Sequence, residues 1–155
     1  MVTGCNCSPF LKRLFLSCSV DGTVRIFDVL NNRPVAVFEP GCAEYLIDAV
    51  WSPYRPTVFV ALSNNGSVYI YDLLLSKETP SYVLPYNLSL HVSDKAPSAK
   101  TAYTLAFNPR QRDFLAVGYH DGTAKIFQLN YSLSTQKNDE IKTLKQLFLE
   151  KEKAE

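Results

Sequence analysis

The sequence predicts an all-β fold, a partial β-propeller of about three four-stranded antiparallel blades, the last lacking its outer strand, with a carboxy-terminal α-helix behind it. Three observations predict this. First, one phrase is written three times, as "CSPFLKRLFLSCSVDGTVRIFDV", "WSPYRPTVFVALSNNGSVYIYDL" and "FNPRQRDFLAVGYHDGTAKIFQL", and the copies align without a gap. Second, each copy keeps one internal ruler: twelve residues from Pro9, Pro53 and Pro109 to Asp21, Asn65 and Asp121, then six more to Phe27, Tyr71 and Phe127. Third, the turns stand 44 and 56 residues apart, and a period of about 40 to 45 residues with four short strands per unit marks a propeller blade.

Each element follows from local chemistry. The pairs Asp21-Gly22, Asn65-Gly66 and Asp121-Gly122 supply the positive backbone angles of a two-residue hairpin turn. In the strand that follows, Val24, Val68 and Ala124 share a face with Ile26, Ile70 and Ile126, because side chains alternate along a strand. The other face carries Arg25, Tyr69 and Lys125 with Phe27, Tyr71 and Phe127. Bulk on both faces fits a sheet sandwiched between neighbouring sheets. Inner strands are expected near Val2 to Cys7, Ala49 to Trp51 and Thr104 to Phe107, the next near Phe15 to Ser19, Val58 to Leu62 and Phe114 to Gly118, and outer strands at Val35 to Phe38 and Tyr82 to Leu84. The third unit has no outer strand and runs on into "NDEIKTLKQLFLEKEKAE". There Asn138 can cap, Asp139 and Glu140 suit the positive end of a helix, and Ile141, Leu144, Leu147 and Phe148 recur at helical spacing. That apolar stripe either packs back on the propeller rim or docks on a partner. The units are thus 1–44, 45–85 and 101–133, with a polar loop insertion at 86–100 that holds His91 and a helix at 138–152.

Composition bounds the function. The chain has 155 residues, about one domain, with 46% apolar and 20% charged residues. A net charge of +1 gives no global reason to bind nucleic acid or an anionic membrane, so a charged partner has to be met by a local patch. No run approaches the roughly 18 apolar residues of a membrane helix, and Asn6, Pro9, Lys12 and Arg13 stand where a secretory signal would be apolar. A soluble, intracellular chain is expected. The cysteines Cys5, Cys7, Cys18 and Cys42 contain no C-x-x-C pair, which argues against zinc and for reduced, buried thiols. Asp21 and Asp121 precede glycine in turns, where a carboxylate bonds nearby amides, and His120 has Val20 and Asn64 at the equivalent positions. No catalytic residue, cofactor site or metal site is expected.

The runs "VRIFD" and "VYIYD" stand where the WD-repeat β-propeller family has its aromatic-Asp signature, and the units resemble that family, although the Gly-His dipeptide that often opens a blade is absent. The phrase "WSPYRPTVFVA" looks like that of dynein intermediate chains, and "VTGCNCSPFLKRLFLSCSVDG" is similar to a blade of the cytoplasmic dynein-2 (intraflagellar transport) branch. The resemblance covers about residues 2 to 130. It implies a non-catalytic scaffold whose propeller binds the dynein heavy chain, beside other dynein subunits, for retrograde intraflagellar transport. It further implies a place in the cytoplasm, cytoskeleton and cilium, at the axoneme or ciliary base, with no nucleic acid, membrane insertion or small-molecule substrate. Since such propellers have about seven or eight blades, the chain is expected to be the carboxy-terminal piece of a longer protein. The alternative is a generic WD-repeat adaptor that presents partners or substrates to another complex.

Binding residues are sought on the two loop faces. The connections after the first and third strands of each blade emerge together and hold Lys12, Arg13, Arg33, Arg55, Lys77, Arg110 and Arg112 against Glu78 and Asp113. A basic rim there would suit an acidic helix of a partner. On the opposite face, near loop ends, lie Tyr45, Tyr103, Asn64 and His120, of which the tyrosines suit interface anchoring. Trp51 is assigned to the core.

Overall fold

A computed structural model describes residues 1–41, 44–85 and 101–149. Blade 1 is β1 (Val2–Cys7), β2 (Leu14–Ser19), β3 (Val24–Asp28) and β4 (Pro34–Phe38). Blade 2 is β5 (Leu46–Trp51), β6 (Val58–Ser63), β7 (Val68–Asp72) and β8 (Tyr82–Leu84). Blade 3 is β9 (Ala102–Phe107), β10 (Phe114–Tyr119) and β11 (Ala124–Gln128). Each is an antiparallel meander in chain order, four strands in blades 1 and 2 and three in blade 3. Two helices follow, α1 (Tyr131–Ser134) and α2 (Glu140–Phe148). The insertion at 86–100 with His91, the end of the expected helix after 149, and Cys42 lie outside the described residues.

The alternation read from the sequence sets the stacking. Val24 and Ile26 of blade 1 join Tyr69 and Tyr71 of blade 2 in one core, which Phe38 completes. Phe59 and Tyr71 stack with centroids 4.7 Å apart, and Phe38 meets them edge-on at 5.1 and 5.3 Å. On its other side blade 2 sets Val68 and Ile70, with Val58, Val60 and Leu62, against Leu105, Leu115 and Val117 of blade 3. Every residue of β6 and β7 is therefore buried, whereas β11 alternates between exposed and half-buried positions. The middle blade is the one covered on both faces.

Polar side chains strap the blades together at their inner strands. Asn6 Oδ1 accepts from the Trp51 N–H at 2.9 Å, and Asp48 Oδ2 accepts from the Leu105 N–H at 3.1 Å. The inner strands of blades 2 and 3 begin earlier than the sequence indicates, at Leu46 and Ala102. Asp48 reads as a strand breaker, yet its two oxygens are consumed by the amides of Leu105 and Ala49. Burial nevertheless pushes its carboxyl above the ordinary range, against those two hydrogen bonds.

The hairpin turns differ from expectation. In each, the glycine N–H closes a turn on Ser19, Ser63 or Tyr119, and the residue after the glycine closes the loop, as in Ser19 N–H to Thr23 C=O at 3.2 Å. Only the glycine takes a positive φ: 79° at Gly22, 87° at Gly66 and 79° at Gly122. These are three-residue loops, a tight turn followed by a glycine bulge, and the Asp or Asn keeps an ordinary φ while its side chain works. Asp21 and Asp121 Oδ1 each accept from a threonine N–H at 3.0 Å, and Asn65 Oδ1 from Ser67 N–H at 2.9 Å.

Two further expectations change. Of the three cysteines described, all free, Cys18 is buried but Cys5 and Cys7 are exposed, on the face of β1 that turns away from blade 2. The helix starts one residue later than a cap at Asn138 would set it, with Asp139 as N-cap at φ 61° and no side-chain capping bond. That start aims Glu140 inward. Among the described residues no helix is long and apolar enough to cross a membrane.

Candidate functional site

The loop face that carries the basic residues is built from three copies of one device. Ser8, Ser52 and Asn108 each stand before a proline, and each side-chain oxygen accepts two backbone N–H groups, those of Phe10 and Leu11, Tyr54 and Arg55, and Arg110 and Gln111. The loops are closed by Ser8, Ser52 and Asn108 N–H donating to Leu14, Val58 and Phe114 C=O. This fold-back turns the position held by Leu11 and Arg55 inward, and both are buried.

Arg55 is therefore not on the rim. It is fully buried, and its guanidinium is consumed in place. Nη1 donates to Asp72 Oδ2 at 2.7 Å and to the Ser132 carbonyl at 2.6 Å, Nε donates to Glu140 Oε1 at 2.8 Å, and Nη2 bonds Glu140 and Asp72. Asp72 and Glu140 are as buried as the arginine. Desolvation works to lower the Arg55 pKa, but the bonds to Glu140 and Asp72 overcome it and hold it above its ordinary value. The acidic helix expected of a partner is thus supplied by the chain itself. Leu144 of α2 sinks into the core with Leu11, Leu14 and Leu73, and Ile141, Leu147 and Phe148 pack around it. The stripe packs back across blades 1 and 2.

The equivalent positions of the other blades make related but distinct clips. Asp28 accepts from Arg13 Nε at 2.9 Å and pairs with Nη2 of the same side chain. The Arg13 hydrogen bond holds the Asp28 carboxyl below the usual carboxylate range. In blade 3 the polarity is reversed: Gln128 stands where the aspartates are, and its Nε2 donates to Asp113 Oδ2 at 2.9 Å. The departure of "KIFQL" from the aromatic-Asp pattern has this reciprocal partner.

Of the remaining candidates, Lys12, Arg33, Arg110 and Arg112 are exposed, and Arg13 is half-buried in its pair with Asp28. Arg112 also lies over the Tyr54 ring, 5.9 Å from its centroid. On the opposite face Tyr45 and Tyr103 are 41% and 63% exposed. His120 is exposed, while Asn64 is spent on structure: its N–H donates to Tyr45 C=O and its C=O accepts from Ala102 N–H, both at 3.0 Å. Trp51 is core, its Nε1–H bonded to Pro56 C=O at 2.7 Å. What these groups make is a pair of loop surfaces, with the ionisable side chains that are buried spent on one another or on backbone amides.

Comparison with known proteins gives this architecture a family. Residues 1–28 match the family model described as WD domain, G-beta repeat. Cytoplasmic dynein 2 intermediate chain 2 of Homo sapiens is 35% identical over 131 residues, 84% of this chain and 23% of that protein. The chain is a WD-repeat protein related to the dynein intermediate chains. The Mus musculus protein of the same name is 34% identical over 145 residues, 94% of this chain and 25% of that protein. The relationship extends to dynein intermediate chain 3, ciliary, of Heliocidaris crassispina, 29% identical over 148 residues, 96% of this chain and 23% of that protein. This WD-repeat chain spans about a quarter of the length of the curated relatives it matches. The matches with the mouse and sea-urchin proteins, which run over nearly all of it, extend beyond the blades into the helical tail.

Proposed function

We propose that this chain serves as a non-catalytic scaffold in a dynein motor complex, its blades binding the heavy chain beside other dynein subunits, for retrograde intraflagellar transport in cilia. The observation that carries the reading is its similarity, over most of its length, to intermediate chains of cytoplasmic dynein 2. The site chemistry agrees: the buried charges of Arg55, Asp72 and Glu140 neutralise one another and hold a helix, which is the work of a rigid platform. The chain is expected in the cytoplasm and cytoskeleton and at the cilium. Affinity purification of the tagged full-length protein from ciliated cells tests this. Dynein heavy and light chains should co-purify, and depletion should leave intraflagellar cargo stranded at ciliary tips. Recovery of a modifying enzyme without any dynein heavy chain would contradict it.

A further inference from the structure

The charge of this chain is distributed by face. On the loops that follow the first and third strands of the blades, Lys12, Arg33, Lys77, Arg110 and Arg112 are exposed. The helical tail settles on the same side, through Arg55 and Leu11, and adds exposed Lys137, Lys142 and Lys145. Against these stand Glu78, Asp113 and Asp139, because Asp28, Asp72 and Glu140 are buried in pairs with Arg13 and Arg55. On the opposite loops the described residues include Asp21, Glu39, Glu44 and Asp121 and no lysine or arginine. A formal net charge of +1 thus conceals one cationic and one anionic face.

The cationic face also has apolar anchors. Leu30 is 70% exposed and Leu75 60%, at equivalent turns of blades 1 and 2, with Val29 and Leu74 beside them. Charged rims steer and select a partner, while apolar groups at the contact supply affinity. We propose that this face, loops and α2 together, docks an acidic amphipathic polypeptide segment, with its carboxylates over the Lys and Arg side chains and its apolar side chains on Leu30 and Leu75. Two features favour a polypeptide over a nucleic acid. The anchors are aliphatic, and Tyr131 is the one strongly exposed aromatic among the described residues of this face, whereas single strands bind through several stacking rings. The chain also shows the recognition in cis, since Arg55 already takes the carboxylate of Glu140 beside a leucine-lined groove. The inference holds whichever complex the chain enters, because it rests on the surface alone.

The test is fluorescence anisotropy with the full chain and a labelled glutamate-rich peptide of roughly twenty residues, about one interface side, with leucine at helical spacing. A single-stranded oligonucleotide of equal charge is the competing probe. Measured near 0.1 M salt, where charges act over about 10 Å, peptide affinity should fall on the order of tenfold or more when Lys142→Glu and Lys145→Glu are combined with Arg110→Glu and Arg112→Glu. Lys142→Gln with Lys145→Gln, milder changes at exposed sites, should shift it in the same direction, and Leu30→Ser with Leu75→Ser should weaken it independently of salt. Glu39→Lys, on the opposite face, should leave it unchanged. Failure of the wild-type chain to bind the peptide, tighter binding of the oligonucleotide, or equal affinity of the glutamate and glutamine variants with wild type would each overturn the proposal.

Discussion

Arg55 is the residue whose replacement tells most about how the tail is held. The arginine is 0% exposed, and so is the Glu140 side chain; Asp72 is 1% exposed. One cation faces two carboxylates, so the cluster as a whole is formally one negative charge in excess. Arg55→Met leaves both carboxylates buried with no cation between them, and breaking a buried ion pair by removing one partner costs about 3–5 kcal/mol. Glu140→Ala acts differently, because Arg55 and Asp72 remain as a neutral pair. It forfeits the charged hydrogen bonds of one carboxylate, about 1.5–3 kcal/mol, and unfastens α2. Glu140→Gln keeps an acceptor for Arg55 and discards the excess charge, so it should be the mildest of the three. Urea unfolding should rank them in that order, and amide exchange across α2 should quicken in Glu140→Ala while the β6 and β7 amides stay protected. Arg55→Met within 1 kcal/mol of wild type, or milder than Glu140→Ala, would refute the charge argument.

Other outcomes follow from the packing and the turns. Phe38 is 2% exposed and meets the Phe59 and Tyr71 rings, so Phe38→Ala should cost about 3–5 kcal/mol, read from the shift in urea midpoint. No atom lies within 4 Å of a Cβ placed on Gly122, so Gly122→Ala should cost only the backbone term at φ 79°, about 1–2 kcal/mol, and Gly122→Asn less; equal losses for the two would contradict this. Asp28 has its pKa lowered from 3.8 chiefly by the Arg13 hydrogen bond. Its contribution is present above that unfolded value and is lost as pH falls through the lower native one. Asp28→Asn should therefore lose less stability than wild type when melting is followed from about pH 5 to about pH 2.

The blade was legible because its determinants are local. Alternation, the Asp-Gly or Asn-Gly punctuation and the constant Pro-to-turn spacing act within some twenty residues, and the strands of β2, β3, β6 and β7 stand where the pattern puts them. The turn type was not legible, since Asp-Gly serves both a two-residue turn and a three-residue loop with a bulge; strand pairing of Cys18 with Val24 decides it. Arg55 was misread because nothing nearby separates it from Arg13 or Arg112. Its partner Glu140 lies 85 positions away, and the signal available was its place: Leu11 holds the same position in blade 1. The early start of β5 was hidden by Asp48, a poor strand former whose oxygens are used by the next blade. The short helix α1 is capped by Asn130, whose side chain accepts from Leu133 N–H. Four residues are too few to raise a periodic signal.

The most direct test of the stacked blades and their fastened tail is a nuclear Overhauser spectrum of protein with labelled methyl groups and aromatic rings. The Ile26 methyls should correlate with the rings of Tyr69 or Tyr71 across the first blade boundary, and those of Leu144 with the methyls of Leu11, Leu14 or Leu73. Ile26 correlations confined to blade 1, with Leu144 seen only by its own helix, would contradict the account.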